Sequence, residues 1–156
     1  MQKLLKWTVV VLAVVFAAIQ FVRPVRTNPP VDDAQTVFTK TQMPPAGAAI
    51  FDRACADCHS DKTVWPWYSN VAPVSWFVAG HVNDGRKAMD LSQWGQHDQD
   101  WQARKLRQIC DEISDGGMPL SSYTPMHPHA KLSPDDVKAI CDWTKGERDK
   151  LGGTAK

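Results

Sequence analysis

An almost wholly apolar run lies near the N-terminus of the chain, at residues 7–22 (WTVVVLAVVFAAIQFV). As an α-helix it would measure about 24 Å, slightly less than the ~30 Å hydrocarbon core of a bilayer, and snorkelling lysine side chains can make up the difference. The pattern predicts one transmembrane helix within residues 1–22. Basic side chains bound the run on both sides, Lys3 and Lys6 before it and Arg23 and Arg26 after it.

A cleaved signal peptide is the competing interpretation of this segment, with Val15-x-Ala17 as the cleavage site. The apolar run continues past that point through Ile19 and Phe21 and ends at basic residues, which favours an uncleaved anchor. No cysteine precedes Cys55, so a lipoprotein signal is excluded. Under both interpretations the rest of the chain is exported.

Residues 23–45 contain five prolines and no sustained hydrophobic period. We expect a semi-extended tether that spaces the following domain from the membrane. The alternative is a strap that packs along the surface of that domain.

Helical periodicity returns in residues 46–148. Gly47, Phe51 and Cys55 recur every four residues, so they share one face of a predicted helix that begins near Ala46. The sequence therefore predicts a helix that runs directly into the segment after Cys55.

The last predicted helix begins after an N-cap serine, Ser133, and has Pro134 at its first helical position. Val137, Ile140 and Cys141 follow with helical spacing. The domain is therefore predicted to be mostly α-helical. Its later helices cover Val74–Met89, Trp101–Ser114 and Pro134–Lys145, and a short tail covers 149–156.

Length and charge narrow the class of protein. At 156 residues the chain has room for one domain. It carries 18 Lys and Arg against 17 Asp and Glu and has no basic stripe, so a nucleic-acid-binding protein is not expected. Seven tryptophans suit the lining of a large apolar cofactor better than a routine small core.

The pentapeptide Cys55-Ala56-Asp57-Cys58-His59 is the strongest chemical motif in the chain. In C-x-x-C-H the two thiols form thioether bonds to the vinyl groups of a haem, and the adjacent histidine binds the iron. The spacing covers about one helical turn, which sets both sulphur atoms against one edge of the macrocycle. A redox dithiol would need a βαβ context and a zinc site a second ligand pair, and neither is visible. The motif predicts one covalent haem c with His59 as its proximal ligand.

Met118 is the predicted distal ligand, because a methionine thioether is a common sixth ligand of c-type haem. Gly116 and Gly117 before it let the backbone bend close to the ring, and Pro119 stiffens the chain after it. The rival ligands are, first, His127 and His129, and then His81 and Met126.

An aromatic block at Trp65, Trp67 and Tyr68 is predicted to wall the haem. Its N–H and O–H groups, or the guanidinium of Arg86, could bind the haem propionates, whose buried charge needs partners. The alternative is that these aromatic side chains only fill the core.

Two further cysteines, Cys110 and Cys141, fall on predicted helices. Outside the reducing cytosol a spare pair favours a disulfide bond. Two buried thiols that pack as small apolar side chains remain the alternative.

The helix that leads into the haem motif resembles the opening helix of class I cytochromes c. Its pattern is Gly-x-x-x-Phe-x-x-x-Cys-x-x-Cys-His, starting at Gly47, and Met118-Pro119 resembles their distal ligand loop. The resemblance implies that Gly47 allows close approach of the C-terminal helix and that Trp143 packs against Phe51.

Residues 20–148 also resemble the membrane-anchored bacterial haem-binding domain family. This resemblance implies a monohaem c-type cytochrome domain. It rests on the segments QFVRP from Gln20, WPWYSN from Trp65, APVSW from Ala72, VNDGR from Val82 and MPL from Met118, with Tyr123 and His127-Pro128.

These features predict an electron carrier and not an enzyme. The helix would span the bacterial inner membrane with its N-terminus in the cytoplasm. The periplasmic haem would pass single electrons between redox protein partners, for example within a respiratory complex. The alternatives are a haem-based sensor or ligand-binding module and a peroxidase-like enzyme, both with a labile distal ligand.

Overall fold

The computed structural model describes residues 1–41 and 43–152. The described residues are mostly helical and contain no β-strand, in agreement with the predicted class. The last residues of the predicted tail, 153–156, lie outside them. The α-helices are α1 (Gln2–Ile19), α2 (Val37–Lys40), α3 (Pro45–Ala54), α4 (Ala56–His59), α5 (Val74–Ala88), α6 (Gln99–Ser114) and α7 (Pro134–Lys150). Short 3₁₀ turns occupy Asp33–Gln35, Trp67–Asn70, Trp94–Gln96 and Pro128–Ala130.

Helix α1 is long and apolar enough to cross a membrane, and none of its residues is buried against the rest of the chain. A signal sequence at this position would have the same length and composition. The helix begins before the apolar run at 7–22, so that it includes Lys3 and Lys6, and it ends at Ile19.

Residues 23–41 and 43–45 follow the second of the two expectations, because they pack along the domain as a strap. The Asn28 side chain donates to the Thr63 carbonyl at 2.8 Å. Val37 is fully buried, and its amide N–H donates to the Leu91 carbonyl at 2.8 Å. The prolines keep the chain extended, and the buried valine on α2 fixes it to the core.

The hydrophobic core lies among α3, α6 and α7. Phe51 of α3 is buried within it and meets the ring of Trp143 edge to face, with centroids 5.5 Å apart, as predicted. Burial of each large side chain of this kind contributes about 1.5–3 kcal/mol. The other buried core side chains include Val37, Leu91, Trp94, Leu106, Ile109, Ile113 and Ile140.

The expectation that Gly47 allows close approach of α7 is wrong. A Cβ added at Gly47 would lie 3.2 Å from Cγ of Met43, and no described atom of α7 lies within 4 Å of it. The strap occupies this face of α3, so the two helices meet through Phe51 and Trp143 instead.

Helix α7 begins with a capping box. Ser133 accepts from the amide N–H of Asp136 at 3.2 Å, and the Asp136 carboxylate accepts from the amide N–H of Ser133 at 2.8 Å. Arg53 of α3 pairs with the same carboxylate at 2.7 Å. The cap therefore also joins the first helix of the domain to the last.

Cys110 of α6 and Cys141 of α7 form a disulfide bond, with their Cα atoms 4.9 Å apart. Of the two possibilities that the sequence left open, a disulfide bond and two buried thiols, the structure therefore shows the first. The bond closes a loop with a sequence separation of 31 residues. Crosslinks of this kind contribute about 2–4 kcal/mol of stability.

Candidate functional site

The C-x-x-C-H motif consists of Cys55, which lies between α3 and α4, and the four residues of α4 itself. Cys55 departs from helical geometry, at φ −124° and ψ −38°. The amide N–H groups of Cys58 and His59 both donate to the Cys55 carbonyl, at 3.2 and 2.9 Å. Both thiols and the imidazole therefore belong to a single turn of backbone.

Helix α5 lies directly against this turn. A Cβ at Gly85 would overlap the backbone carbonyl of Cys58, so the approach requires a residue without a side chain. His81, Gly85 and Ala88 consequently form one wall of the space beside the motif.

His59 is oriented by the backbone that follows α5. Its Nδ1 atom lies 3.1 Å from the Met89 carbonyl, which can only accept, so Nδ1 carries the proton and Nε2 keeps its lone pair. Burial lowers the pKa of His59 below its ordinary value, against the opposing effect of that hydrogen bond. The imidazole is therefore neutral and available as a metal ligand.

Cys55 and Cys58 are free thiols. Burial, and after it the neighbouring Cys58, raises the pKa of Cys55 to about 12. Burial and the Asp57 carboxylate raise the pKa of Cys58 to about 11. Both side chains are therefore uncharged at neutral pH, which suits an apolar site.

Two neighbouring cavities of about 220 and 240 Å³ meet at the motif, and we call them the first and the second cavity. Ala54, Cys55, His59, Ala88 and Met118 line both of them. The imidazole and the thioether thus border the same, mainly apolar, space beside the first cysteine.

The Met118 loop is held by the end of α6. Gly116 has φ +73°, a left-handed conformation that favours glycine. The amide N–H groups of Gly117 and Met118 both donate to the Glu112 carbonyl, at 2.9 and 3.1 Å. The loop therefore turns back toward the motif, as its two glycines predicted.

The rival distal ligands lie in different places. His81 lines the second cavity, and its Nε2 atom is buried without a hydrogen-bond partner among the described residues. Met126 and His127 line a third cavity of about 340 Å³. His129 is not among the described side chains that line any of these three cavities.

The predicted aromatic wall lies away from the first two cavities. Trp67 and Tyr68 line the third cavity, and Trp67 is 73% exposed. Trp65 lines none of the three among the described residues, and its Nε1 atom is buried without a partner there. Trp67 and Tyr68 therefore border a space beside the motif and not the space between His59 and Met118.

Arg86 holds the strap. Its Nε donates to the Ser60 carbonyl at 2.8 Å, and its Nη1 donates to the Thr27 carbonyl at 2.9 Å. Its Nη2 donates to the side chains of Asn28 and Thr63, each at 2.9 Å. These contacts use the guanidinium within the protein, so the structure gives no support to a propionate-binding role for Arg86.

Helix α6 contributes side chains that the sequence analysis did not select. Lys105, Ile109 and Glu112 line the first cavity, and their helical spacing is the signal that could have identified them. Lys105 brings a positive charge to the cavity, where a carboxylate ligand would find a partner.

The donor set fits a c-type haem. Two thiols, a neutral imidazole with a free Nε2 and a thioether are grouped around an apolar space. These are the groups that attach and ligate such a haem. Among the described residues no cluster of three or more His, Cys, Asp or Glu suits a bare metal ion.

Comparison with known proteins gives one match. A family model described as a haem-binding domain matches residues 14–146. No curated protein and no solved structure matches the chain.

Proposed function

Because the chain belongs to the haem-binding domain family, we propose that it is a membrane-anchored monohaem c-type cytochrome that transfers single electrons. In this proposal Cys55 and Cys58 hold the haem through thioether bonds, and His59 and Met118 are its axial ligands. The family match supports the haem itself.

One observation carries the finer assignment: His59 and Met118 line the same two cavities beside Cys55. An axial pair must border one space, and the covalent attachment must lie at its edge. The 58 residues between His59 and Met118 are closed into this arrangement by α5 and by the loop after α6.

Bound haem supplies a one-electron couple between ferric and ferrous iron. The hydrogen bond from His59 to the Met89 carbonyl would fix the ring plane and the ligating nitrogen. The Met118 thioether would favour reduced iron relative to a second imidazole. The apolar walls would limit water, which also stabilises the less charged state.

We also propose that α1 is an uncleaved anchor in the bacterial inner membrane and that the domain is periplasmic. The Gln20 side chain accepts from the Ala72 amide N–H at 2.9 Å and donates to the Ala72 carbonyl at 3.1 Å. Trp76 Nε1 donates to the Val22 carbonyl at 2.7 Å. These bonds support a domain that stays at the end of α1, and thioether haem supports export.

The proposed role is that of an electron carrier without catalysis of its own, with redox proteins as partners. The second candidate is a haem-based sensor or a peroxidase-like enzyme. His81 favours it, because it lines the second and third cavities and its Nε2 has no hydrogen-bond partner among the described residues, so its imidazole could assist a bound gas or peroxide.

Absorption spectra of the ferric and ferrous protein, compared with Met118→Ala, test the ligation. We expect a low-spin wild-type spectrum with the weak long-wavelength sulphur-to-iron band, and loss of that band in the variant. Met126→Ala is the matched control, since Met126 is 57% exposed and lines only the third of the three cavities.

A spectrum that Met118→Ala leaves unchanged would contradict the ligation. Carbon monoxide binding by the reduced wild-type protein would instead favour the sensor or the enzyme, and turnover of peroxide would separate these two. Covalent attachment is tested by Cys55→Ala with Cys58→Ala, which should lose haem on a denaturing gel.

A further inference from the structure

The third cavity adjoins the haem motif but shares neither His59 nor Met118 with the first two. Cys58 and Tyr123 line both it and the second cavity, so its inner end lies beside the attachment edge of the proposed haem. Most of its remaining wall is apolar, with Val64, Trp67, Val74, Phe77, Val78 and Met126.

Two polar pairs lie at this cavity. The Tyr68 hydroxyl and His127 Nε2 are 2.7 Å apart. Tyr123 donates to the Asp57 carboxylate at 2.7 Å, and its ring stacks on His127 with centroids 4.1 Å apart. The cavity therefore combines a largely apolar wall with fixed hydrogen-bonding groups.

The Tyr68–His127 pair can serve two kinds of ligand. When the Tyr68 hydroxyl donates to Nε2, its oxygen can accept from a ligand O–H. When Nε2 carries the proton and donates, the Tyr68 O–H is free to donate to a ligand carbonyl. Both arrangements contain a neutral phenol and a neutral imidazole.

The third cavity has exposed lining residues that lie near in the chain to residues bonded to the segment after α1. Trp67 and Phe77 line it and are 73% and 54% exposed. The adjacent Ala72 and Trp76 hydrogen-bond to Gln20 and Val22, directly after α1. A ligand dissolved in the bilayer would therefore meet these exposed side chains first.

We propose that the third cavity binds a lipid-soluble quinone, in its oxidised or reduced form, that enters from the membrane. The inference rests on the proposed function, because it takes α1 as the anchor and the haem as the neighbouring group. A quinone has a flat ring for the aromatic wall, oxygens for the Tyr68–His127 pair and an apolar tail for the exposed lining side chains. A saturated lipid chain would make no use of the polar pair.

Equilibrium binding of a short-tailed benzoquinone to the full-length, haem-loaded protein in lipid nanodiscs tests this proposal. His127→Gln should weaken binding about tenfold, because it removes the imidazole that orients the Tyr68 hydroxyl toward the ligand. Phe77→Asp should weaken it by at least as much, and because Phe77 is exposed and outside the buried core, the substitution leaves the core intact. His97→Gln is the matched control, because His97 is exposed, stacks on Trp101 and should leave binding unchanged.

Three results would overturn the proposal: equal affinity in His127→Gln and wild type, equal binding of a saturated alcohol of the same length, or binding confined to haem-free protein. The last result would assign the cavity to the haem. The haem spectrum of each sample keeps the two proposals separate. A normal spectrum without quinone binding contradicts only this inference, whereas absence of covalent haem contradicts the proposed function.

Discussion

Gly85 is the residue at which the packing of the site is tightest. Its Cα hydrogen faces the carbonyl of Cys58, in the middle of the haem motif. A glycine inside a helix usually costs stability, by about 1 kcal/mol relative to alanine. Here the cost is offset by the close approach of α5 to the turn that carries both thiols.

We expect Gly85→Ala to lower the free energy of unfolding by roughly 1–3 kcal/mol, because a methyl group would displace the Cys58 backbone. Chemical denaturation of the full-length protein in detergent measures this effect. Gly80→Ala is the matched control on the same helix, with no neighbouring atom within 4 Å of the added Cβ. It should be neutral or stabilising by up to about 1 kcal/mol, and equal destabilisation by both variants would contradict the argument.

At the scale of the residue, the sequence predicts which chemical groups a side chain supplies better than it predicts which other residues that side chain contacts. Cys55, Cys58 and His59 are identifiable because the motif is local and its spacing encodes one turn. The surroundings of Gly85 and Arg86 depend on how α5 meets the haem motif and the strap, which are distant in the chain. Nothing in their own neighbourhood in the sequence specifies those contacts.

At the scale of the element, the start of α7 links the acid stability of the protein to one carboxylate. The amide N–H of Ser133, and then Arg53, hold the pKa of Asp136 at about 2, well below its usual range. A depressed folded-state pKa stabilises the protein above the unfolded-state pKa, near 4, and this contribution is lost as the pH falls toward 2.

Asp136→Asn should therefore cost roughly 1–2 kcal/mol at neutral pH and much less near pH 2, where the wild-type carboxylate is also protonated. Denaturation curves of both proteins between pH 2 and pH 7 (about the span over which the group titrates) give the comparison. Asp142→Asn is the control, since its pair with Lys138 is exposed and screened by solvent, so the substitution should change stability little at any pH in this range. A difference between Asp136→Asn and wild type that stays constant over this range would be evidence against the linkage.

Helices with strong local signals are the elements that sequence analysis places well. Ser133 and Pro134 mark the start of α7, and Phe51 and Trp143 meet as the resemblance of their helices to those of class I cytochromes c implied. Gly47 was assigned to the wrong neighbour because the strap, which has no periodic pattern, occupies that face of α3. Whether Cys110 and Cys141 form a disulfide bond could not be predicted from the sequence for a related reason, because it depends on the separation of two helices.

At the scale of the whole molecule, the strap belongs to the folded domain. Val37, the first residue of α2, is buried in the core, and its amide N–H bonds to Leu91 in the segment after α5. Proline-rich composition indicates an extended chain, but it does not tell whether that chain is free or packed.

We expect Val37→Ala to reduce the free energy of unfolding by about 1–3 kcal/mol, through lost burial and the cavity that remains. Val25→Ala, in the same strap but 74% exposed, should change it by less than about 0.5 kcal/mol. Thermal or chemical unfolding of the full chain measures both. Equal, small effects would mean that the strap detaches in solution.

The two hydrogen bonds between Gln20 and Ala72 also set how far the domain can reach. A free linker of the length of residues 23–45 would let the domain move roughly 25 Å from the end of α1 and turn in any direction. The two Gln20–Ala72 hydrogen bonds and the packed strap remove that freedom. If α1 is the membrane anchor and the domain exchanges electrons, as we propose, a redox partner must come to the domain at one height above the bilayer and in one orientation, so their encounter becomes a search in two dimensions.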